Sequence, residues 1–329
     1  MSSFKISVAM AIFNGEKYIK KQLESILNQT IVPDEVIIID DCSTDRTVEV
    51  VENYVRNNQL SFCKLFVNSI NLGYKKNFYR ALSKTSGDII FLSDQDDEWE
   101  KNKLKKIIDV FKENQDVLAV NSAVKYIDER SNPFSIKSQK NYYNANFLYS
   151  RDSIKKITYF DKNYISKHNI SPGCSMAFRK SILEDFLKIY DFRMPHDWFI
   201  NLIAAYKGGC VFFDETLTKY RIHSSNVIGS NTSIRKGIVD KTNSFRIEDY
   251  ENRIASIIII DDYFSDNSDI ENIKLLYSRM IDFYKKPNLK QLFILYKTDG
   301  YFELAKRKVR VWDFIIALHL DSILRALLK

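Results

Sequence analysis

The sequence predicts an α/β fold: a mostly parallel, Rossmann-like sheet flanked by helices, with a C-terminal helical extension. Three observations support this prediction. Apolar runs alternate with amphipathic stretches through the first 125 residues, polar residues follow the ends of those runs, and the pattern is helical from about residue 230 onward. Repeated strand–helix–strand units imply a parallel sheet, because each crossover helix covers one of its faces.

The predicted strands are continuous apolar runs, which are typical of strands buried on both faces. In chain order they cover Ile6–Ile12, 36–39, Phe62–Val67, Asp88–Leu92, Val117–Val120, 173–178 and the two stretches CVFFD and TLTKYRIH between 210 and 223. Parallel strands all end at one edge of a sheet, so the residues that follow them are expected to meet there.

Helices are predicted where apolar residues recur every three or four positions. They cover 19–27, 48–55 with Ser43 as N-cap, Tyr74–Lys84, 104–111, Ser181–Tyr190 and 196–209. Residues 128–170 are polar and rich in Tyr and Asn, and they predict an insertion or loop region. We expect one domain over residues 1–230, with halves at 1–125 and 126–230, and a helical region over 231–329.

The composition narrows the class of protein. A net charge of +7 over 329 residues is a mild basic excess, and no recognised nucleic-acid motif accompanies it, so no nucleic-acid partner is expected. The four cysteines have neither zinc nor redox spacing, which is typical of reduced cysteines in the cytosol. We find no signal peptide and no apolar stretch near the roughly 20 residues that cross a bilayer. A cytoplasmic location is therefore expected.

Polar residues follow several predicted strands directly. Asp94, Asp96 and Asp97 come after the fourth strand in FLSDQDDEW; other strand ends are followed by Asn14, Asp40, Asp41 and Asn68. Carboxylates grouped in this way suit Mg²⁺ or Mn²⁺, which prefer hard oxygen ligands. The alternative is an acidic helix start, in which Asp97 and Glu98 only interact with the positive end of the helix dipole.

Four stretches together resemble family 2 glycosyltransferases in order and spacing. They are SVAMAIFNGEKYIKKQLESILNQT, VIIIDDCSTDRT, NSINLGYKKNFYRALSKTSGDIIFLSDQDDEW and HDWFINLIAAYKGG. The motifs S-D-Q-D-D, H-D-W and YRIHSSNVIG resemble those of bacterial rhamnosyltransferase-like members of the family. The resemblance implies a GT-A fold, a nucleotide-sugar donor, a divalent Mn²⁺ or Mg²⁺ ion and inversion at the anomeric carbon. It makes 1–125 the nucleotide-sugar-binding half and 126–230 the acceptor half.

The resemblance also implies donor contacts. The loop after the first strand would line the nucleotide, Asp41 would bind the base, and Asp94 would touch the ribose; Arg221 is a candidate to neutralise the diphosphate. The full set of donor-binding candidates is Ala11, Phe13, Asn14, Glu16, Asp41, Asn71, Gly73, Asp94 and Arg221. A helix-capping role for Asp41 and a plain turn at Asn71–Gly73 stay open.

The remaining candidates concern chemistry, metal and acceptor. The resemblance makes Asp197 the general base, which takes a proton from the acceptor hydroxyl. It makes Asp96 and His223 the metal ligands. Acceptor contacts are expected from Gly173, Cys174, His196 and Trp198. The alternatives are a helix-capping role for Asp197, a core role for Trp198 and a structural role for His223.

Taken as a whole, the resemblance implies an inverting, metal-dependent glycosyltransferase. The expected donor is dTDP-rhamnose, with UDP-sugars next, and the expected acceptor is a glycan or lipid-linked glycan of bacterial cell-surface polysaccharide synthesis. Processive members of the family carry a Q-x-x-R-W motif, which is absent here, so a non-processive reaction is expected. The alternatives are a catalytically inactive glycan- or nucleotide-binding subunit and a sugar nucleotidyltransferase, although AIFNGEKY lacks the Gly-rich basic loop of the latter.

The C-terminal stretch AKRKVRVWDFIIALHLDSILRALLK combines a basic cluster with apolar residues at Val309, Trp312, Ile316, Leu320, Ile323, Leu324 and Leu327. Such a pattern is typical of a helix lying at a membrane interface, which would make the protein peripheral on the inner face of the cell membrane. The alternative is a helix that packs on the catalytic domain or on a second copy in a homodimer.

Overall fold

The computed structural model describes residues 4–135, 143, 145–146, 148–149, 153–223, 242–265, 270–305 and 307–322. The chain divides into two compact units. The first comprises Met1–Ile165 and Asn169–Ser224, and the second comprises Ser166–His168 and Ser225–Lys329. The domain boundary predicted at residue 230 lies outside the described residues. Within the described ranges, no helix has both the length and the apolar content that crossing a membrane requires.

The first unit is built on one sheet. Its strands are β1 (Ile6–Ile12), β2 (Glu35–Asp40), β3 (Cys63–Val67), β4 (Ile89–Ser93), β5 (Glu98–Trp99), β6 (Ala119–Ile127), β7 (Pro133–Phe134), β8 (Ile157–Tyr159), β9 (Met176–Arg179) and β10 (Cys210–Arg221). The strand order is β3-β2-β1-β4-β9-β6-β10-β5, with β7 beside β6 and β8 beside β10.

The sheet is mixed but mostly parallel, as the sequence predicts. β1 to β4 run parallel to one another, and β6 runs parallel to β10, whereas β9 lies antiparallel between β4 and β6. The two stretches predicted as separate strands after residue 210 form the single strand β10. The polar residues between them fall in a bulged region between Phe213 and Thr218, which interrupts the register without ending the strand.

The helices of the first unit are α1 (Ile19–Leu27), α2 (Thr47–Asn57), α3 (Tyr74–Ser83), α4 (Lys103–Glu113), α5 (Lys162–Lys167, which continues into the second unit), α6 (Lys180–Ile189) and α7 (His196–Tyr206). The predicted N-cap Ser43 is wrong, because its hydroxyl instead donates to Oδ1 of Asp40 at 2.5 Å. Asp45 accepts the backbone N–H of Thr47 at 2.9 Å, at the true start of α2. The predicted loop region contains α5 and two short strands.

The core explains why the apolar runs form strands. Val8 and Met10 of β1 and Phe91 of β4 are fully buried, and the apolar faces of α1 and α4 belong to the same cluster. Each buried side chain of this size contributes about 1.5–3 kcal/mol. The parallel strands end at one edge of this core, and β9 begins there because it runs the opposite way. The loops at that edge carry the candidate site.

The second unit is helical within its described residues, in agreement with the expected C-terminal extension. Its helices are α8 (Asn243–Phe264), α9 (Ile270–Lys285), α10 (Leu289–Tyr296), α11 (Tyr301–Leu304) and α12 (Arg307–Ala317). Side chains of Thr242 and Asn288 accept backbone N–H groups at the starts of α8 and α10. In its core, the fully buried Asp313 accepts hydroxyl hydrogen bonds from Tyr284 at 2.5 Å and Tyr301 at 2.6 Å.

Candidate active site

The loop after β1 is held against the acidic turn after β4. The side-chain amide of Gln95 accepts the backbone N–H of Phe13 at 2.7 Å and donates to the Phe13 carbonyl at 2.8 Å. A Cβ atom on Gly15 would lie only 2.4 Å from Oε1 of Gln95, so the close approach requires glycine. Phe13 is exposed and Ala11, paired with Ile39 within the sheet, is half-buried. The expected nucleotide loop is therefore fixed to the acidic turn at the sheet edge by the Gln95 side chain.

Two further donor candidates tie the β1 loop to the loop after β2. Asn14 has φ of 48° and donates its backbone N–H to Ser43 at 2.8 Å, while its side-chain oxygen accepts the Thr44 N–H at 2.8 Å. Glu16 accepts the backbone N–H of Arg46 at 3.0 Å. Both side chains are engaged in joining the two loops, which supports a role in shaping the site.

Asp41 organises the turn that contains Asn71 and Gly73. Its buried carboxylate accepts the backbone N–H groups of Leu72 and Gly73, both at 2.8 Å, and the side-chain amide of Asn68 at 2.7 Å. Gly73 has φ of 79°, a left-handed conformation that favours glycine, and it precedes α3. The structure thus brings Asp41, Asn71 and Gly73 together, with the Asp41 carboxylate already holding three donors.

Arg221 supports the acidic turn, residues 94–97, from the buried side. Its side chain is 0% exposed, and the guanidinium donates to the carbonyls of Asp96 and Asp128 and to Oε1 of Glu98, each at 2.7 Å. Its backbone N–H donates to Oδ1 of Asp97 at 3.0 Å. A guanidinium enclosed in this way favours a positioning role over the expected contact with a donor diphosphate.

The two expected metal ligands are brought together. Nε2 of His223 lies 2.8 Å from Oδ2 of Asp96, and the His223 ring packs against Tyr18 with ring centroids 5.0 Å apart. His223 lies two residues beyond Arg221, the last residue of β10, which also approaches Asp96. The end of β10 therefore supplies both a buried support and an imidazole to the acidic turn.

Asp94 and Asp97 form a second group with Cys174, whose potential ligand atoms lie within 4.8 Å of one another. Burial first, and the charge of neighbouring Asp96, raise the pKa of Asp97 to about 7. Burial and the charges of Asp97, Asp96 and Asp197 raise the pKa of Asp94 well above its usual value. Burial likewise raises the pKa of the Cys174 thiol, which keeps the sulfur protonated.

A buried lysine faces this group. Lys103, at the start of α4, is fully buried and donates to the Cys174 carbonyl at 2.5 Å and to the Thr218 hydroxyl at 3.0 Å. Its ammonium also lies 4.0 Å from the ring centroid of Trp99. Burial lowers the pKa of Lys103 to about 7, although the nearby acidic groups favour its charged form. Lys103 is the internal counter-charge of the acidic turn.

Asp197, the candidate base, lies in the first turn of α7 beside Asn169. Its Oδ2 accepts the side-chain amide of Asn169 at 2.9 Å, and a Cβ atom on Gly173 would approach Asp197 to 3.3 Å. Burial raises the pKa of Asp197 to about 6, while hydrogen bonds from Trp198 and Asn169 oppose that rise. Because the charge of Asp197 also raises the pKa of Asp94, the two carboxyl groups share one electrostatic environment.

The other acceptor candidates differ in how far their polar atoms are engaged. His196 is buried and stacks on Phe78 with centroids 4.0 Å apart, and neither ring nitrogen is hydrogen-bonded within the described residues. Burial, with a smaller effect of Lys75, lowers the pKa of His196 to about 3, so the ring is neutral. Trp198 is buried and donates its indole N–H to the Ile165 carbonyl at 2.6 Å, which favours the core role.

The chemistry of the acidic turn fits a divalent cation. Oδ2 of Asp97 is buried, and no nitrogen or oxygen donor in the described part of the chain is bonded to it; the Cys174 thiol, a weak donor, faces it. Several carboxyl groups with raised pKa values are close together, and a divalent ion would relieve their mutual repulsion. Oxygen ligands of this kind suit Mg²⁺ or Mn²⁺.

The sequence alone did not assign a role to three residues of the site. They are Lys103, Asn169 and Gln95, the last as a structural support. Lys103 falls in an ordinary amphipathic helix, and Asn169 falls in a polar loop, so neither carries a local pattern. Gln95 does carry a signal, since it stands between two aspartates of the acidic turn. Sequence reasoning locates the polar strand ends but not the groups that support them.

The chain is similar to known proteins in both sequence and fold. The family described as Glycosyl transferase family 2 matches residues 7–187. The dTDP-rhamnosyl transferase RfbG of Shigella flexneri is 32% identical over 242 residues, which cover 69% of this chain and 75% of RfbG. The poly(ribitol-phosphate) beta-N-acetylglucosaminyltransferase TarS of Staphylococcus aureus (strain Mu50) is 37% identical over 103 residues, which cover 31% of this chain and 18% of TarS.

Two solved structures share the fold. Residues 1–349 of S. aureus TarS in complex with UDP-GlcNAc align with a TM-score of 0.57 and 20% identity, covering 95% of this chain and 79% of that one. The mannosyltransferase PcManGT from Pyrobaculum calidifontis, in complex with GDP-Man and Mn²⁺, aligns with a TM-score of 0.54 and 15% identity, covering 99% and 88%. At these identities the similarity concerns the fold alone.

Proposed function

The chain belongs to glycosyl transferase family 2, and from this premise we propose that it transfers single sugars, with inversion, from a nucleotide-sugar donor to a glycan or lipid-linked glycan acceptor. The observation that carries the proposal is that Gly173 lies against Asp197 while its neighbour Cys174 lies with Asp94 and Asp97, so that the candidate base and the acidic turn flank the same short segment of the first unit. The rest of the site supports the same assignment.

In this mechanism Asp197 is the base. Its carboxylate takes the proton of an acceptor hydroxyl while the new glycosidic C–O bond forms and the bond between the anomeric carbon and the diphosphate breaks. The electron pair of that bond leaves with the diphosphate oxygen. Asn169 orients the Asp197 carboxylate. The ring nitrogens of the neutral His196 beside it have no hydrogen-bond partner among the described residues, and we assign them to a sugar hydroxyl.

The donor side is formed by the β1 loop, the Asp41-supported turn and Asp94. Asp96 and His223, with Asp94 or Asp97 beside them, would hold the divalent ion, and Cys174 stays a protonated thiol that does not act as nucleophile. A bound Mn²⁺ or Mg²⁺ supplies Lewis-acid stabilisation of the departing diphosphate. Arg221 positions the acidic turn through the Asp96 carbonyl.

The proposed donor is dTDP-rhamnose, with UDP-sugars as the next class to test. The name of RfbG, which is similar over two thirds of this chain, specifies a dTDP-rhamnosyl transferase and supports this order. The proposed setting is bacterial cell-surface polysaccharide synthesis at the inner face of the cell membrane, where a lipid-linked acceptor would be met. A homodimer remains a separate proposal to be tested by sedimentation.

The test is a donor panel measured with Mn²⁺ or Mg²⁺. We expect dTDP-rhamnose to be consumed faster than UDP-glucose and UDP-GlcNAc, and donor hydrolysis to be lost in Asp96→Ala and after chelation of the metal. Retained hydrolysis in Asp96→Ala would contradict the metal role. Binding without turnover of any donor would instead favour the inactive-subunit alternative, and release of pyrophosphate from dTTP with a sugar phosphate would favour the nucleotidyltransferase.

A further inference from the structure

The second unit exposes apolar side chains along three consecutive helices, α10, α11 and α12. Phe293, Phe302, Val311 and Phe314 are all exposed by 45% or more. Phe302, Val311 and Phe314 border a groove of about 370 Å³, which we call the aromatic groove; its lining residues are Tyr296, Phe302, Arg307, Arg310, Val311 and Phe314. Isolated exposed apolar residues are ordinary, but a continuous patch on a soluble surface indicates an interaction site.

The aromatic groove is not the apolar stripe that the sequence predicts. Of that stripe, Trp312 and Ile316 are buried, at 5% and 1% exposure, and they share the inner face of α12 with Asp313. Ile323, Leu324 and Leu327 lie outside the described residues. Helix α12 therefore has two apolar faces: one packs into the second unit, and the other, with Val311 and Phe314, remains exposed.

This part of the chain has a large excess of basic residues. Residues 285–329 contain 10 Lys or Arg and 4 Asp or Glu, a net charge of +6 out of +7 for the whole protein. Two of the four acids are already engaged: Asp313 by Tyr284 and Tyr301, and Glu303 by Lys167 at 2.5 Å. Cationic groups also flank the rings, since the Arg310 guanidinium lies 4.9 Å from the ring centroid of Phe302.

We propose that the aromatic groove and its flanking basic residues bind an anionic lipid surface. Aromatic side chains are suited to the headgroup level of a bilayer, and Lys and Arg extend their charges toward lipid phosphates. Each basic residue near such a surface adds to the attraction. A second copy of this chain is a poorer occupant, because it would bring two strongly positive faces together. The inference deepens the membrane setting of the proposed function and rests on it.

The experiment is flotation of the full-length protein with vesicles of phosphatidylcholine containing 30% phosphatidylglycerol, compared with pure phosphatidylcholine. The wild type is expected to float with the anionic vesicles at 50 mM NaCl and to be released at 500 mM, because salt screens surface charge. The pair Arg307→Gln/Lys308→Gln is expected to weaken partitioning roughly thirtyfold. The pair Phe302→Ser/Phe314→Ser is expected to weaken it roughly tenfold or more.

Matched controls separate the groove from general effects of charge and surface. Lys20→Gln/Lys105→Gln changes the net charge equally in the first unit, and Leu275→Ser removes a side chain that is 44% exposed on α9, outside the groove. Both controls should bind as the wild type does. Equal binding to neutral vesicles, equal weakening by the controls, or a dimer in sedimentation that the phenylalanine pair converts to monomer would each overturn the proposal.

The assay contains no donor or acceptor, so its result does not depend on turnover. Binding to anionic vesicles by a protein that fails the donor panel would support this inference while the proposed function fails. Turnover on a water-soluble acceptor by a protein that stays at the bottom of the gradient would leave the proposed function intact and overturn this inference.

Discussion

At the scale of single residues, the candidate chemistry depends on how burial changes carboxyl groups of the same type. Asp197 has a pKa raised to about 6 by burial, yet Asn169 donates to it and favours its charged form. A carboxyl group with a pKa near 6 is mostly ionised at physiological pH and is more basic than an ordinary aspartate, which suits proton removal from a hydroxyl.

Asp197→Asn is therefore expected to lower kcat by a factor of about 10²–10⁴, the usual contribution of a general base. The donor Kd should remain within about twofold of wild type, because the amide keeps the shape of the side chain. Transfer rates and donor titrations on the same preparation measure the two quantities. A variant that transfers sugar at the wild-type rate would rule out the base.

Asn169→Leu tests the positioning role through pH. Loss of the hydrogen bond to the charged form should raise the pKa of Asp197, so the acidic limb of the rate profile should move to higher pH than its wild-type midpoint near 6. A matched control is Asn71→Leu, which alters an exposed amide elsewhere at the site and should leave the limb in place. A profile that falls in height without moving would show a merely structural role.

At the scale of elements, the site is built from loops that are joined by side chains from other loops. The β1 loop is held by Gln95, and the acidic turn is held by Arg221 at the end of β10. Such connections make the geometry of each loop depend on residues far away in the chain. Changes in these supports should therefore act on ligand binding as well as on stability.

Arg221→Lys is expected to destabilise the fold by about 3 kcal/mol, because an ammonium cannot replace a guanidinium that reaches three acceptors in a buried site. Mn²⁺ binding should weaken at least roughly tenfold, which is about 1.4 kcal/mol. Urea unfolding and calorimetric titration measure the two effects. The control is Lys219→Met, whose more exposed ammonium reaches Glu98 only at 3.4 Å and should change stability by less than about 1 kcal/mol.

Gly15→Ala tests the contact between the β1 loop and Gln95. The added Cβ would meet Oε1 of Gln95 at 2.4 Å and should displace that amide from Phe13, raising the donor KM. Gln95→Ser should raise KM as well, because it removes the same hydrogen bonds. If both act through one contact, the double variant should be no worse than either single variant. Additive losses would show that the two residues act separately.

At the scale of the whole molecule, the acidic turn links stability to pH and to metal. The pKa of Asp97 is raised from 3.8 to about 7, and that of Asp197 to about 6. A carboxyl group whose pKa is raised on folding contributes its full stabilisation at pH values below its pKa in the unfolded state. This contribution is lost as the pH rises through its pKa in the folded state. Lys103, whose pKa is lowered to about 7, has the opposite effect: its contribution to stability increases as the pH rises, mainly above pH 7.

We therefore expect the Tm of the metal-free protein to fall between pH 5 and pH 7. Mn²⁺ should raise Tm more at pH 7 than at pH 5, because the ion binds ionised carboxylates and stabilises the folded state by mass action. Thermal unfolding in chelator and in millimolar Mn²⁺ at both pH values measures this. Asp96→Ala should remove the metal effect at either pH. An equal rise in Tm at pH 5 and pH 7 would contradict the carboxylate site.

Much of this protein follows from local patterns in its sequence. The apolar runs determine the strands, because only a buried strand is apolar on both faces, and the polar residues after Ile12, Asp40 and Ser93 lie at one sheet edge because parallel strands end together. The same short stretches identify the family. These properties depend on residues close to one another in the chain, so the sequence alone determines them.

Other properties were decided only by tertiary structure. The local sequence shows only that Arg221 is an arginine in a strand. Its enclosure by Asp96, Glu98 and Asp128 depends on segments roughly 90 or more residues away in the chain. Lys103 becomes the counter-charge of the acidic turn for the same reason. In α12 the helical period allows two apolar faces, and packing against the Tyr284–Asp313–Tyr301 core selects the one that is buried. Burial and long-range contact, rather than local pattern, determine these roles.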